Sequence, residues 1–127
     1  MRHGVAHRKL GRDSAHRRAT LRNLVSNAVL HDRIRTTLAR AKEAQPLCDR
    51  IVSIAKQNRP SARTVASDYL FQPSVTVPKL FDHLVTRYAT RPGGYTRIIK
   101  CGRDPRDSSE MAILEFVDAP GDTKFEL

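Results

Sequence analysis

Apolar positions along the chain fall into short stretches of helical or strand period, separated by polar breaks. Leu21, Leu24, Val25, Ala28 and Val29 follow the i, i+3, i+4, i+7, i+8 spacing of a helix with one buried stripe. Asp13 or Ser14, both good N-caps, start this helix, and His31 and Asp32 end it. Arg33 to Thr37 alternates and carries β-branched residues, the composition of a short strand. Leu38 to Gln57 reads as a second helix, with Leu38, Ala41, Ala44, Cys48, Ile51, Val52 and Ala55 along one face. Pro46 removes a donor inside that helix and clashes with the preceding turn, which predicts a kink or a boundary there. Beyond Asn58-Arg59-Pro60, Ser61 caps a short third helix that ends near Leu70, and Gln72 to Thr76 reads as a loop. Pro78 fits the first turn of a fourth helix, whose stripe is Leu80, Phe81, Leu84, Val85 and Tyr88.

Pro92-Gly93-Gly94 stops the fourth helix. Tyr95 to Cys101 and Met111 to Val117 have strand composition, and the polar stretch Gly102 to Glu110 between them, with Pro105, suits a long hairpin loop. The order is helix, short strand, three helices, β-hairpin. That order defines an α+β fold with helices packed on one face of a small antiparallel sheet. At 127 residues the chain has room for a single domain. Its expected parts are an extended basic N-terminal arm over 1–12, a globular body over 13–118 and an acidic tail over 119–127. The arm lacks periodicity and acids and contains Gly4 and Gly11, so alone it is expected to be disordered.

Charge changes this picture from a fold to a partner. The net charge is +10, but it is distributed as +9 over residues 1–42, +6 over 43–106 and −5 over 107–127. Arg2, Arg8, Lys9, Arg12, Arg17, Arg18 and Arg22 crowd the first 22 residues against Asp13 alone. Self-repulsion at that density raises the free energy of the compact state unless a polyanion neutralises it. Arginine supplies all but one of these bases, and its planar fork suits bidentate phosphate contacts.

Other chemistry is thinly represented. Asp13, Ser14 and His16 are too crowded for a catalytic triad, whose members converge from different elements. There is no P-loop, no dinucleotide-binding glycine motif and no H-E-x-x-H. The histidines show no ligand spacing with Cys48 or Cys101, and two cysteines make neither a disulfide framework nor a four-cysteine zinc site. The longest apolar run, Met111 to Leu114, is far too short to span a bilayer, and no secretory signal is visible. The expectation is a soluble, intracellular, non-enzymatic domain without cofactor, metal or small-molecule substrate.

Among nucleic acids, folded RNA fits best. The bases lie on an arm, a helix start and a strand rather than on one recognition helix, and few aromatics are interleaved with them. Phosphate-dominated docking, with shape supplying selectivity, suits such a distribution. A free nucleoid or DNA-packaging protein is the alternative. Arg91-Pro92-Gly93-Gly94-Tyr95-Thr96-Arg97 forms a second cluster. Its glycines either let backbone N–H groups face phosphate or form an ordinary helix C-cap, and Tyr95 is placed to stack on a base or bind a phosphate.

His7-Arg8-Lys9-Leu10-Gly11-Arg12, followed by Ser14-Ala15-His16-Arg17, resembles the opening of the bacterial-type large-subunit ribosomal protein seventeen family. Arg22-Asn23-Leu24, Thr36-Thr37-Leu38, Ala41-Lys42-Glu43, Lys79-Leu80-Phe81, Gly93 to Arg97 and Leu114 to Asp118 match in the same order. The resemblance implies a structural component of the large ribosomal subunit that binds large-subunit ribosomal RNA beside neighbouring proteins near the polypeptide exit. It carries RNA contact to His7, Arg8, Lys9, Arg12, His16, Arg17, Arg22, Gly93, Gly94, Tyr95 and Arg97; the charge reading adds Arg2, Arg18 and Arg91. Residues 1–6, Pro46 and the tail depart from the bacterial pattern. The R-P-G-G-Y-T-R form and the tail look most like the fungal mitochondrial branch, which implies a mitochondrial ribosome. A bacterial cytoplasmic or plastid ribosome is the alternative.

Overall fold

A computed structural model describes residues 3–120; Arg2 and all but the first two residues of the acidic tail lie outside the described residues. The elements run α1 (Ser14–His31), β1 (Arg33–Thr37), α2 (Leu38–Lys56), α3 (Pro60–Tyr69) and α4 (Pro73–Lys79). A π-helical turn (Leu80–Leu84) then leads into α5 (Val85–Arg87), followed by β2 (Thr96–Arg103) and β3 (Glu110–Phe116). This is the α+β order expected from the sequence.

Local chemistry explains most boundaries. The carboxylate of Asp13 accepts the His16 amide at 2.8 Å and satisfies one of the orphan donors at the start of α1. At the other end Asp32 takes the left-handed conformation at φ 66°, and its amide returns to the Ala28 carbonyl. Its carboxylate accepts Lys79 at 3.2 Å and Arg87 at 3.1 Å, so the end of α1 is also where the fourth helical segment is pinned.

Two expected helix starts need correction, and of the two outcomes expected at Pro46 the boundary is the one ruled out. α2 runs unbroken through Pro46, which is exposed together with Lys42, so water can take the Lys42 carbonyl that the proline leaves without a donor. α3 begins on Pro60 itself, without a side-chain cap from Ser61. The fourth segment begins at Pro73 rather than Pro78: Gln72 turns the chain at φ 51°, and Pro73 takes the first turn. The stretch read as a loop is thus helical. Thr76, buried there, donates its hydroxyl to the Phe71 and Gln72 carbonyls at 3.0 and 3.1 Å.

β3 is the central strand, antiparallel to β1 on one side and β2 on the other. Ile34, Leu114 and Ile98 share one row, while Arg33, Glu115 and Arg97 lie on the opposite face. α2 packs against the sheet and against α1. Leu21, Val25 and Val29, Ala44, Cys48 and Val52, Leu80, Leu84 and Tyr88, and Leu114 and Phe116 fill the space between them. Leu80, Leu84 and Tyr88 are fully buried, so the wider π turn still presents one apolar side.

Candidate nucleic-acid interface

Residues 3–12 form neither helix nor strand, and 3–9 are exposed. They nevertheless close onto the body. Glu43, on α2 and with a side chain only 8% exposed, accepts Arg8 on Oε1 at 3.1 Å and Arg17 on Oε2 at 3.0 Å. His7 Nδ1 stands 3.8 Å from Oε2. Arg17 also donates from Nε to the Arg8 carbonyl at 2.6 Å, so α1 holds the arm by its backbone as well as its side chain. Leu10 packs against the core, and Arg12 donates to the Leu10 carbonyl at 2.6 Å within a turn closed by the Arg12 amide on Lys9.

This docking gathers His7, Arg8, Lys9, Arg12 and Arg17, with Asp13 and Ser14, around one open cleft of about 410 Å³. Lys9 is exposed at its edge. Arg12 Nε is buried and has no hydrogen-bond partner among the described residues. Beside it stands the start of α1, where the helix dipole and free N–H groups favour negative charge. His16 and Arg18 are exposed on the first turns, Arg18 donating to the Ser14 carbonyl at 3.4 Å. The arrangement concentrates cationic donors where phosphate oxygens are able to approach from solvent.

Arg22 is turned inward. Its Nε donates to the Tyr69 carbonyl at 2.8 Å and an Nη to the Asp68 carbonyl at 2.9 Å, and its guanidinium lies 4.7 Å from the Phe71 ring centroid. It thereby satisfies the end of α3. Ser26, one turn on, accepts the Phe71 amide at 2.8 Å.

The Arg91–Arg97 segment is held by the other side of α2. Gln45, Asp49 and Lys56 reach it, whereas Glu43 reaches the arm; at 100° per residue, Glu43 points roughly opposite to those three. Asp49 accepts the Thr96 hydroxyl at 2.9 Å, and Gln45 donates to the Thr96 carbonyl at 3.3 Å. Burial raises the Asp49 carboxyl above its ordinary range, against hydrogen bonds from the Thr96 hydroxyl and the Tyr95 and Thr96 backbone. Lys56 donates to the Arg91 carbonyl and, at 3.0 Å, to the Tyr95 hydroxyl.

Tyr95 therefore requires correction. Its ring is 2% exposed and packs 5.1 Å from the Tyr88 ring centroid, and its hydroxyl is occupied by Lys56. It is a core residue in position and is not presented to a base. Arg97 pairs with Glu115, which also takes Arg33 from β1 at 2.8 Å. Arg91 pairs with Asp118 at 3.2 Å, both half-exposed. Gly94 is exposed at φ 63°, and a Cβ built on Gly93 or Gly94 meets nothing within 4 Å. Helical structure ends at Arg87, well before either glycine, so neither is the residue that closes the helix.

Glu43, Asp49, Lys56 and Ser26 were not singled out by function in the sequence. Glu43 follows directly on the basic segment, but nothing in its neighbourhood announces partners 26 and 35 residues away. Among the described residues no helix is long and apolar enough to cross a membrane, and no cluster of metal-ligating side chains occurs.

Comparison with known proteins agrees with the motifs. A family model described as ribosomal protein L17 matches residues 20–117. The large ribosomal subunit protein bL17 of Erythrobacter litoralis is 44% identical over 98% of this chain and 88% of its own length. The bL17m proteins of Schizosaccharomyces pombe and Neurospora crassa are 45% and 43% identical over 95% and 97% of this chain. The chain spans only 59% and 64% of the length of those two mitochondrial relatives.

Proposed function

Because the chain belongs to the ribosomal protein L17 family, we propose that it is a structural constituent of a large ribosomal subunit that binds the large-subunit RNA. The family is that of a ribosomal protein, in keeping with a non-enzymatic role. The arm over 1–12 and the first turns of α1 make the principal contact, and the Gly93-Gly94 backbone, exposed at Gly94, makes a second with Arg91. The observation that carries this reading is the convergence of His7, Arg8, Lys9, Arg12 and Arg17 on one solvent-open cleft at the start of α1. Lys9, His16 and Arg18 extend it as exposed groups. Neighbouring large-subunit proteins near the polypeptide exit are the other partners on this reading. Tyr95, Arg97 and Arg22 serve the interface indirectly, by fixing the backbone that carries it.

The ribosome is mitochondrial on this reading, supported by the form of Arg91–Arg97 and by two fungal mitochondrial relatives. The test is sucrose-gradient fractionation of organelle and cytosol, with binding to transcribed large-subunit RNA measured as a function of salt. Co-sedimentation with large subunits is expected, with affinity falling at a logarithmic slope of about −0.7 to −0.9 per contacted phosphate. Absence from ribosomal fractions with preference for duplex DNA supports a nucleoid protein instead and overturns the proposal. Binding indifferent to salt removes the phosphate contacts from it.

A further inference from the structure

Glu43 is out of keeping with the surface around it. A carboxylate beside a polyanion-binding cleft repels the ligand, and the first 42 residues otherwise carry only Asp13 and Asp32 as acids. Yet its side chain is 8% exposed, and both of its oxygens are engaged, one by Arg8 of the arm and one by Arg17 of α1. Arg17 in turn holds the Arg8 carbonyl at 2.6 Å. α2, α1 and the arm are thus joined through one carboxylate, and Arg8 is fixed at both its backbone and its guanidinium.

Resting on the RNA-binding reading above, we infer that Glu43 is a positioning residue for RNA binding: it docks the arm so that Lys9, Arg12 and the start of α1 present their charges together. The physical basis is preorganisation. A loose arm must be ordered when it binds, and that entropy is subtracted from affinity; an arm already docked loses less. The Arg8 and Arg17 ion pairs are oriented for this by the buried carboxylate, whose removal frees both guanidinium groups without removing a base.

The sign of the effect separates this role from an incidental charge. Glu43→Gln makes the chain one unit more positive, so electrostatics alone tightens RNA binding. Positioning requires the opposite, a loss of about tenfold in affinity for transcribed large-subunit RNA. Glu43→Asp keeps the charge and withdraws the carboxylate by one methylene, so that it no longer holds both arginines in their present geometry. It is expected to weaken binding in the same direction, where charge offers no explanation. It also serves should Glu43→Gln fail to fold.

A second readout needs no RNA. Trypsin cleavage after Arg8, Lys9 and Arg12 in the full chain is expected to quicken severalfold in both variants, with the thermal midpoint of the body close to that of the parent. The full-length Lys9→Gln, Arg18→Gln chain is the control, because it removes exposed bases and leaves Glu43 and its partners intact. If that control weakens binding while Glu43→Gln and Glu43→Asp bind RNA as tightly as the parent or tighter, the positioning role is wrong and the RNA-binding reading stands. If the control leaves RNA binding unchanged, the arm and the start of α1 are not the contact, and the role of Glu43 falls with that placement; if the parent chain itself binds no RNA, the RNA-binding reading falls.

Discussion

The hydroxyl of Tyr88 donates to the backbone carbonyl of Val117 at 2.5 Å, joining the end of the fourth helical segment to the residue that follows β3. Tyr88 is fully buried, and its ring lies 5.1 Å from that of Tyr95 and 6.4 Å from that of Phe116, centroid to centroid. The pair ties together two parts of the chain 29 residues apart and closes the core over the segment that carries Gly93 and Gly94.

Burial pushes the Tyr88 phenol up to about 12, against the opposing pull of Arg87. In the unfolded chain the phenol ionises near pH 10, so between about pH 10 and 12 the unfolded state gives up a proton that the folded state keeps. Stability from this group is therefore complete below about pH 10 and declines as pH rises, by about 1.4 kcal/mol per unit. Urea unfolding at pH 8, 10 and 11 checks this. Tyr88→Phe is expected to be destabilised by about 1–2 kcal/mol at pH 8 and to lose much of the alkaline decline.

Arg22 holds the end of α3 through two carbonyls, and removing it leaves both acceptors without their donor. Arg22→Ala is expected to cost about 1.5–3 kcal/mol in unfolding free energy, the range for hydrogen bonds to a charged group. Arg22→Lys keeps the charge but loses the fork that serves both carbonyls, and most of that loss is expected to persist. A lysine variant as stable as the parent contradicts the structural role.

The two thiols are unequal. Cys48 is fully buried, and burial followed by the neighbouring Asp49 raises its thiol far above the usual range; Cys101 on β2 is partly exposed. A colorimetric disulfide reagent is expected to label Cys101 in the native protein and Cys48 only as the chain unfolds. Rapid native labelling of two thiols runs against the buried position of Cys48.

Gly93 and Gly94 differ in what they require. Gly94 sits at φ 63°, so Gly94→Ala is expected to cost about 1 kcal/mol from backbone conformation alone, with no steric clash inside the chain. Gly93 is not in the left-handed region, and Gly93→Ala is expected to change stability by less than about 0.5 kcal/mol. If RNA approaches this backbone, both variants weaken RNA binding, Gly93→Ala without loss of stability. An unchanged affinity in both removes the segment from the interface.

The periodic elements were legible because their signals are local. The stripe from Leu21 to Val29 and the alternation from Arg33 to Thr37 mark faces that any compact packing must bury. The prolines were less legible, since a proline only removes a donor. Whether that ends a helix depends on surroundings: at Pro46 the exposed side of α2 leaves water to compensate, and at Pro73 the positive φ of Gln72 had already turned the chain.

The α+β order, the basic beginning and acidic end, and the motif series that places the chain in its family are all readable from the linear chain. Which charges face outward and which are used within the chain emerges only on packing. Arg8, Arg22 and Arg97 read alike as bases, but one meets a buried carboxylate on α2, one the carbonyls ending α3, and one a glutamate on the neighbouring strand. Tyr95 reads as an aromatic among bases and lies in the core. The physical reason is that helix and strand propensities act over a few residues, whereas these pairings form through space between positions 18 to 47 apart, fixed only once the elements have packed.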